Sequence, residues 1–136
     1  MDNFDGGFVG KLFATVIKAK LLQTPLQLIA VEDIGDVAAD AFLRPEEYKG
    51  KAISLAGDEV TFQQLAEIFR EKTGAEIPTT WNMLARLVLA TSKEMSTMFS
   101  FFEKEGYAAD IEALRRQYPQ LKDLRAWLET SPYMKK

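Results

Sequence analysis

Apolar positions recur at helical spacing from the first residues of the chain. Phe4, Phe8, Leu12 and Val16 follow one another at i, i+4, and Val9, Phe13, Ile17 and Leu21 run beside them. The double row predicts a helix over residues 5–22 with an apolar stripe wide enough to need cover on more than one side. Gln23-Thr24-Pro25 breaks it. Residues 26–31 (LQLIAV) then read as a short buried strand. Asp33, with Asp36 three positions on, reads as the N-cap of a second helix reaching Leu43, with Ile34, Val37, Ala38, Ala41 and Phe42 on its inner face. Residues 44–50 read as a turn, and residues 52–56 (AISLA) as a second strand that ends at Gly57-Asp58. Thr61 caps a helix over 62–72, with Phe62, Leu65, Ile68 and Phe69 inward, and Gly74 closes it. Residues 76–80 suggest a third short strand. A long apolar pattern predicts helix over 82–105, broken near Thr91-Ser92 and ended by Gly106. Two short helices follow, over 109–117 and 122–130, with Pro119 between them. The tail SPYMKK reads as frayed.

The expected class is therefore α/β, mostly α: a helical lobe with two or three short strands. Composition narrows the function. The chain has 136 residues, 47% of them apolar and 27% charged, which suits one soluble domain with a real core, read as a single unit over 1–136. It contains no cysteine and no histidine. Disulfides, thiolate metal sites, cysteine nucleophiles and histidine-based triads are excluded, and no metal site is expected. The net charge is −3, and the basic clusters are small (Lys18 with Lys20, Arg115 with Arg116, Lys135 with Lys136), so nucleic acid is not an expected partner. No 18-residue apolar run exists, so no membrane partner is expected, and with no secretory pattern a cytoplasmic location is the default.

Few residue groups suggest chemistry. Tyr118-Pro119-Gln120-Leu121-Lys122 matches a Tyr-x-x-x-Lys spacing, but Pro119 disfavours the continuous helix that would put both side chains on one face. Glu32-Asp33 could act as an acid–base pair, or Asp33 could simply cap a helix. Ser92, Lys93 and Glu94 are adjacent and do not face one another on a helix. Gly6-Gly7-Phe8-Val9-Gly10 follows no strand, so a phosphate-binding turn is not expected there. Phe99, Phe101, Phe102, Tyr107 and Trp81, with Met95 and Met98, form an aromatic group that is either core or the wall of an adaptable apolar pocket.

Three stretches resemble a known family: the opening MDNF, the segment PLQLIAVEDIGDVAADAFLRPEEYKGKAISLAGDEVTFQQLAEIF, and MFSFFEKEGYAADIEALRRQYPQLKDLRAWL. In order and spacing they resemble the C-terminal, substrate-binding half of NmrA-like proteins, in the atypical short-chain dehydrogenase/reductase superfamily. The resemblance implies a truncated lobe without the N-terminal Rossmann domain and its glycine-rich dinucleotide turn, hence no cofactor. It implies that the segment matching 52–56 joins the edge of a Rossmann sheet in longer relatives. The face left open by the absent domain would then be covered by a homodimer or another partner. It also places the opening residues and the aromatic group beside a substrate cleft, giving Asn3, Phe4, Trp81, Met98, Phe101, Phe102 and Tyr107 as substrate-binding candidates, with Asn3 and Tyr107 as polar handles. The functional expectation is a stand-alone lobe that binds an apolar small molecule or a protein partner and has no redox activity of its own. Two alternatives stand beside it. One is a cofactor-independent isomerase, cyclase or lyase acting on an apolar metabolite, with Tyr107, Glu32 and Asp33 as the catalytic candidates. The other is a fragment of a full-length NAD(P)-binding NmrA-like regulator.

Overall fold

A computed structural model describes residues 1–4 and 6–134. A 3-10 turn (Asp2–Phe4) leads into α1 (Phe8–Lys20), β1 (Leu26–Leu28), α2 (Val31–Leu43) and the one-turn α3 (Pro45–Tyr48). Then come β2 (Asp58–Val60), α4 (Phe62–Thr73), α5 (Asn82–Thr91), α6 (Lys93–Lys104), α7 (Ile111–Gln117) and α8 (Leu124–Thr130). The mostly helical class is as expected, around one two-stranded antiparallel sheet among the described residues. Leu26 lies opposite Val60, and Leu28 opposite Asp58.

Two expected strands are not formed. Residues 52–56 carry an apolar run but have no strand beside them. The ladder on β1 is taken by 58–60 instead, because that register buries Leu26, Leu28 and Val60 together. Residues 76–80 do not pair either. Ile77 is buried in the core, and the Thr80 N–H donates to the Thr15 hydroxyl of α1 at 2.8 Å.

The expected turn over 44–50 contains α3, whose first residue is Pro45, a position where the missing N–H costs nothing. The first helix is shorter than its pattern predicts, and Asp5, inside the expected span, lies outside the described residues. Phe8 and Val9 are exposed, while Val16, Ile17 and Leu21 are buried. The tail is partly anchored: Ser131 is buried and the Tyr133 ring meets Phe69 edge-on at 4.7 Å. Lys135 and Lys136 lie outside the described residues.

Other boundaries follow local chemistry. Thr61 and Gln64 make a reciprocal capping box at the start of α4, and Gly74 ends it in a left-handed conformation. Ser92 separates α5 from α6 and caps the latter through a bond from the Met95 N–H at 3.2 Å. The main core gathers Val16, Ile17, Leu21, Phe99, Leu124 and Leu128. A second cluster joins Val37, Leu114, Tyr118 and Leu121, with Leu55 packed against it.

Candidate functional site

Most of the candidate residues meet at an open, mainly apolar cleft of about 350 Å³. Its lining comes from five places in the chain. The 3-10 turn supplies Asn3 and Phe4, α1 supplies Phe13, and β1 supplies Leu26, Gln27 and Leu28. From α6 and the loop after it come Met98, Phe102 and Tyr107. Val31 and Ile34 of α2 border it, and both are exposed.

Aromatic stacking fixes these walls. Phe4 meets Phe13 edge-on at 5.9 Å, Phe13 approaches Phe99 at 5.8 Å, and Phe99 meets Phe102 edge-on at 5.8 Å. Offset and edge-on contacts of this kind hold rings in definite orientations.

Tyr107 reaches the cleft through a chain reversal. Gly106 has φ of +64°, a left-handed conformation that costs glycine little, and it turns the backbone out of α6. The Tyr107 ring then rests 5.4 Å from Phe101 and 5.6 Å from Phe102. The following segment is tied to β1 by one side chain. Gln27 Nε2 donates to the Ala109 carbonyl at 3.0 Å, and Gln27 Oε1 accepts from the Ala109 N–H at 3.0 Å. Tyr107 stays 56% exposed, with an apolar ring in the wall and a hydroxyl that has no protein partner among the described residues. That is the geometry of a polar handle at a cleft mouth.

Five of the seven substrate-binding candidates therefore line one cleft: Asn3, Phe4, Met98, Phe102 and Tyr107. Phe101 stands behind Tyr107 and lines a separate shallow depression with Ser96, Ser100 and Lys104. Trp81 is not there. It precedes α5 and is 81% exposed, because α5 buries Ala85 and turns its N-terminal edge outward. The cleft residues that the sequence reading missed include Phe13, Gln27, the β1 leucines, Ile29, Val31 and Ile34. The alternation Leu26-Gln27-Leu28 was the available signal: both leucines point inward, and the glutamine lies between them.

Glu32 and Asp33 are not among the residues that line the cleft. Asp33 is not the N-cap of α2, since the helix begins at Val31 and Ala30 occupies the cap position. Instead Asp33 is 1% exposed and accepts the Lys122 backbone N–H at 2.9 Å. Burial pushes its carboxyl above the usual carboxylate range, against the pull of the Lys122 N–H and the Lys122 charge. Glu32 pairs with the Lys122 ammonium, which raises the Lys122 pKa.

Tyr118 is buried. Its hydroxyl bonds the Tyr48 hydroxyl and accepts from Gln117 Nε2 at 3.0 Å. Asp40 accepts from both Tyr48 and Arg44, and those bonds hold the Asp40 carboxyl below its usual range. Tyr118 and Lys122 are thus engaged with separate partners and do not meet.

Asp2 sits at the cleft edge and accepts from the Val31 N–H at 2.9 Å and from the Trp127 indole at 3.4 Å. Partial burial alone would raise its carboxyl, but these donors and the adjacent N-terminal cation hold it below the usual range.

The glycines do not fit a dinucleotide pyrophosphate. Gly7 caps α1 after a 3-10 turn instead of a strand, and Gly10 is buried within the helix. Among the described residues no cluster of acidic side chains has metal-ligand geometry, and no helix is long and apolar enough to cross a membrane.

Comparison with protein-family models matches the NmrA-like family over residues 12–128. That covers most of the chain, which therefore belongs to the NmrA-like family.

Proposed function

We propose that this NmrA-like protein is a ligand-binding lobe that takes up an apolar small molecule in the cleft between the 3-10 turn, β1 and α6, without redox activity of its own. The observation that carries this reading is the cleft: about 350 Å³, mainly apolar, with Asn3 and Tyr107 at its mouth. Few polar groups around an apolar concavity orient a ligand without much desolvation cost. The ill-fitting glycine turn at 6–10 supports a reading without a dinucleotide.

A second feature favours the reading as one lobe of a larger assembly. No backbone N–H of residues 52–56 has a partner among the described residues, and α2, whose Val37 packs in the same cluster as Leu55, leaves Phe42 and Leu43 exposed. The family resemblance implies that 52–56 joins the edge of a dinucleotide-binding sheet. A homodimer or a separate partner lobe covering this face meets the same need.

Titration with NADPH and, separately, with an apolar fluorescent probe tests the proposal. The probe is expected to bind and to be weakened about tenfold by Met98→Glu, which puts a charge in the wall. Stoichiometric NADPH binding by this chain alone, or probe binding indifferent to Met98, would overturn it.

A further inference from the structure

The lining of the cleft holds few polar groups, and most are engaged by the protein itself. Gln27 commits its amide to Ala109 and to the Glu59 carboxylate, which accepts from Nε2 at 3.0 Å. Asp2 accepts from Val31 and Trp127. The Leu28 carbonyl accepts from the Gly57 N–H, and the Ile29 carbonyl from the N-terminal ammonium. The Asn3 amide and the Tyr107 hydroxyl differ: neither has a side-chain hydrogen bond among the described residues. Each can donate as well as accept, so both remain available to a ligand.

The charges on this lining are just as restricted. Among the described residues it includes no lysine and no arginine, and Asp2 is its one charged side chain. The N-terminal ammonium lies close enough to Asp2 for the two to attract each other, and it already donates to Ile29. Elsewhere a ligand meets rings, a thioether and aliphatic side chains. A carboxylate or sulfonate entering here gives up water, finds no side-chain cation and meets the Asp2 carboxylate. A hydroxyl or carbonyl gives up much less, and one hydrogen bond from Asn3 or Tyr107 restores it.

Resting on the reading of this cleft as a ligand site, we propose that it selects uncharged apolar compounds carrying a hydroxyl or carbonyl group and turns anions away, with Tyr107 as the residue that recognises the oxygen. The Tyr107 ring contacts Phe101 and Phe102, which limits where its hydroxyl can stand, and Gln27 holds the segment that follows through Ala109. A hydroxyl positioned before the ligand arrives loses little freedom on binding. Selectivity by charge follows from a wall without cations. Selectivity for oxygen follows from Tyr107, with Asn3 as the other open group on the same lining.

The test is competition at neutral pH between naphthalene, naphthol and naphthoate for a bound uncharged dye, N-phenylnaphthylamine, followed by the fluorescence of the dye. The three competitors share one ring system and differ in carrying a hydrogen, a neutral hydroxyl or an anion. Naphthol is expected to bind about fivefold tighter than naphthalene and about thirtyfold tighter than naphthoate. Tyr107→Phe keeps the ring and should cut the preference for naphthol over naphthalene about fivefold. Ile34→Lys adds the missing cation at a cleft-border position that is 43% exposed, so the fold tolerates it. It should narrow the gap between naphthol and naphthoate about tenfold. Naphthoate competing as well as naphthol, or an oxygen preference that survives Tyr107→Phe, overturns the proposal and leaves the cleft standing as a ligand site. A dye that does not bind at all removes the ligand-site reading, and this inference with it.

Discussion

Gly57 marks the point where two distant segments nearly touch. A Cβ there would lie 2.1 Å from the Lys122 carbonyl oxygen, while the Gly57 N–H donates to Leu28 O at 2.8 Å and its carbonyl accepts from Arg115 at 2.8 Å. The neighbour is backbone held by Asp33, so it cannot retreat cheaply. Gly57→Ala is expected to cost about 3 kcal/mol, read as a lower urea midpoint. The two perturbed carboxylates give opposite pH signatures. Asp2 has a lowered folded-state pKa, so its contribution is complete above the ordinary carboxylate value and is lost as pH falls through the folded one. Asp33 has a raised one, so its penalty is present at neutral pH and fades as pH falls towards the unfolded value. Between pH of about 6 and 3, Asp2→Asn should flatten the fall in Tm and Asp33→Asn should steepen it. The same slope from both variants would contradict this assignment. Asp33 also shows where sequence reading stops. Its spacing to Asp36 satisfies the local rule for a cap, but its partner lies 89 residues away, and no local window contains that fact.

Elements whose ends are set by neighbouring residues were legible in the chain. Thr61 with Gln64, Gly74 after α4, and Ser92 between α5 and α6 each work within a few residues, and the periodicity of Leu65 and Phe69 named the buried face of α4. Strands were not legible in the same way, because an apolar run states a need for pairing without naming the partner. Residues 52–56 have the run, yet 58–60 have the ladder. The cleft divides along the same line. Spacing left its aromatic residues open as core or pocket and only the family resemblance pointed to a cleft, whereas the support for Tyr107 depends on Gln27, which touches Ala109 across 82 residues. Gln27→Ala should therefore act locally. It leaves two backbone groups of Ala109 without their partner, at about 1 kcal/mol or somewhat more. Amide exchange in residues 107–110 is expected to accelerate while the amides of α4 and α8 keep their protection. Uniform loss of protection across the molecule would mean that Gln27 supports the core and not the loop.

At the scale of the whole molecule, apolar surface is distributed as if the lobe were built to be covered. The main core is closed by α1, α4, α6 and α8, and the smaller cluster around Val37 and Tyr118 carries Leu55 at its margin. Residues 52–54, before Leu55, have N–H groups without a partner among the described residues, and Phe42 and Leu43 at the end of α2 are 86% and 82% exposed. Unpaired backbone beside an apolar helix is a template for adding a strand. If a second copy adds there, light scattering at micromolar concentration should show a dimer that dissociates on dilution, with residues 52–56 gaining exchange protection in the dimer alone. Ile53→Lys together with Phe42→Lys should abolish it without lowering Tm, because both side chains are already exposed and their loss opens no cavity. A clean monomer with rapidly exchanging 52–56 amides would discard the homodimer.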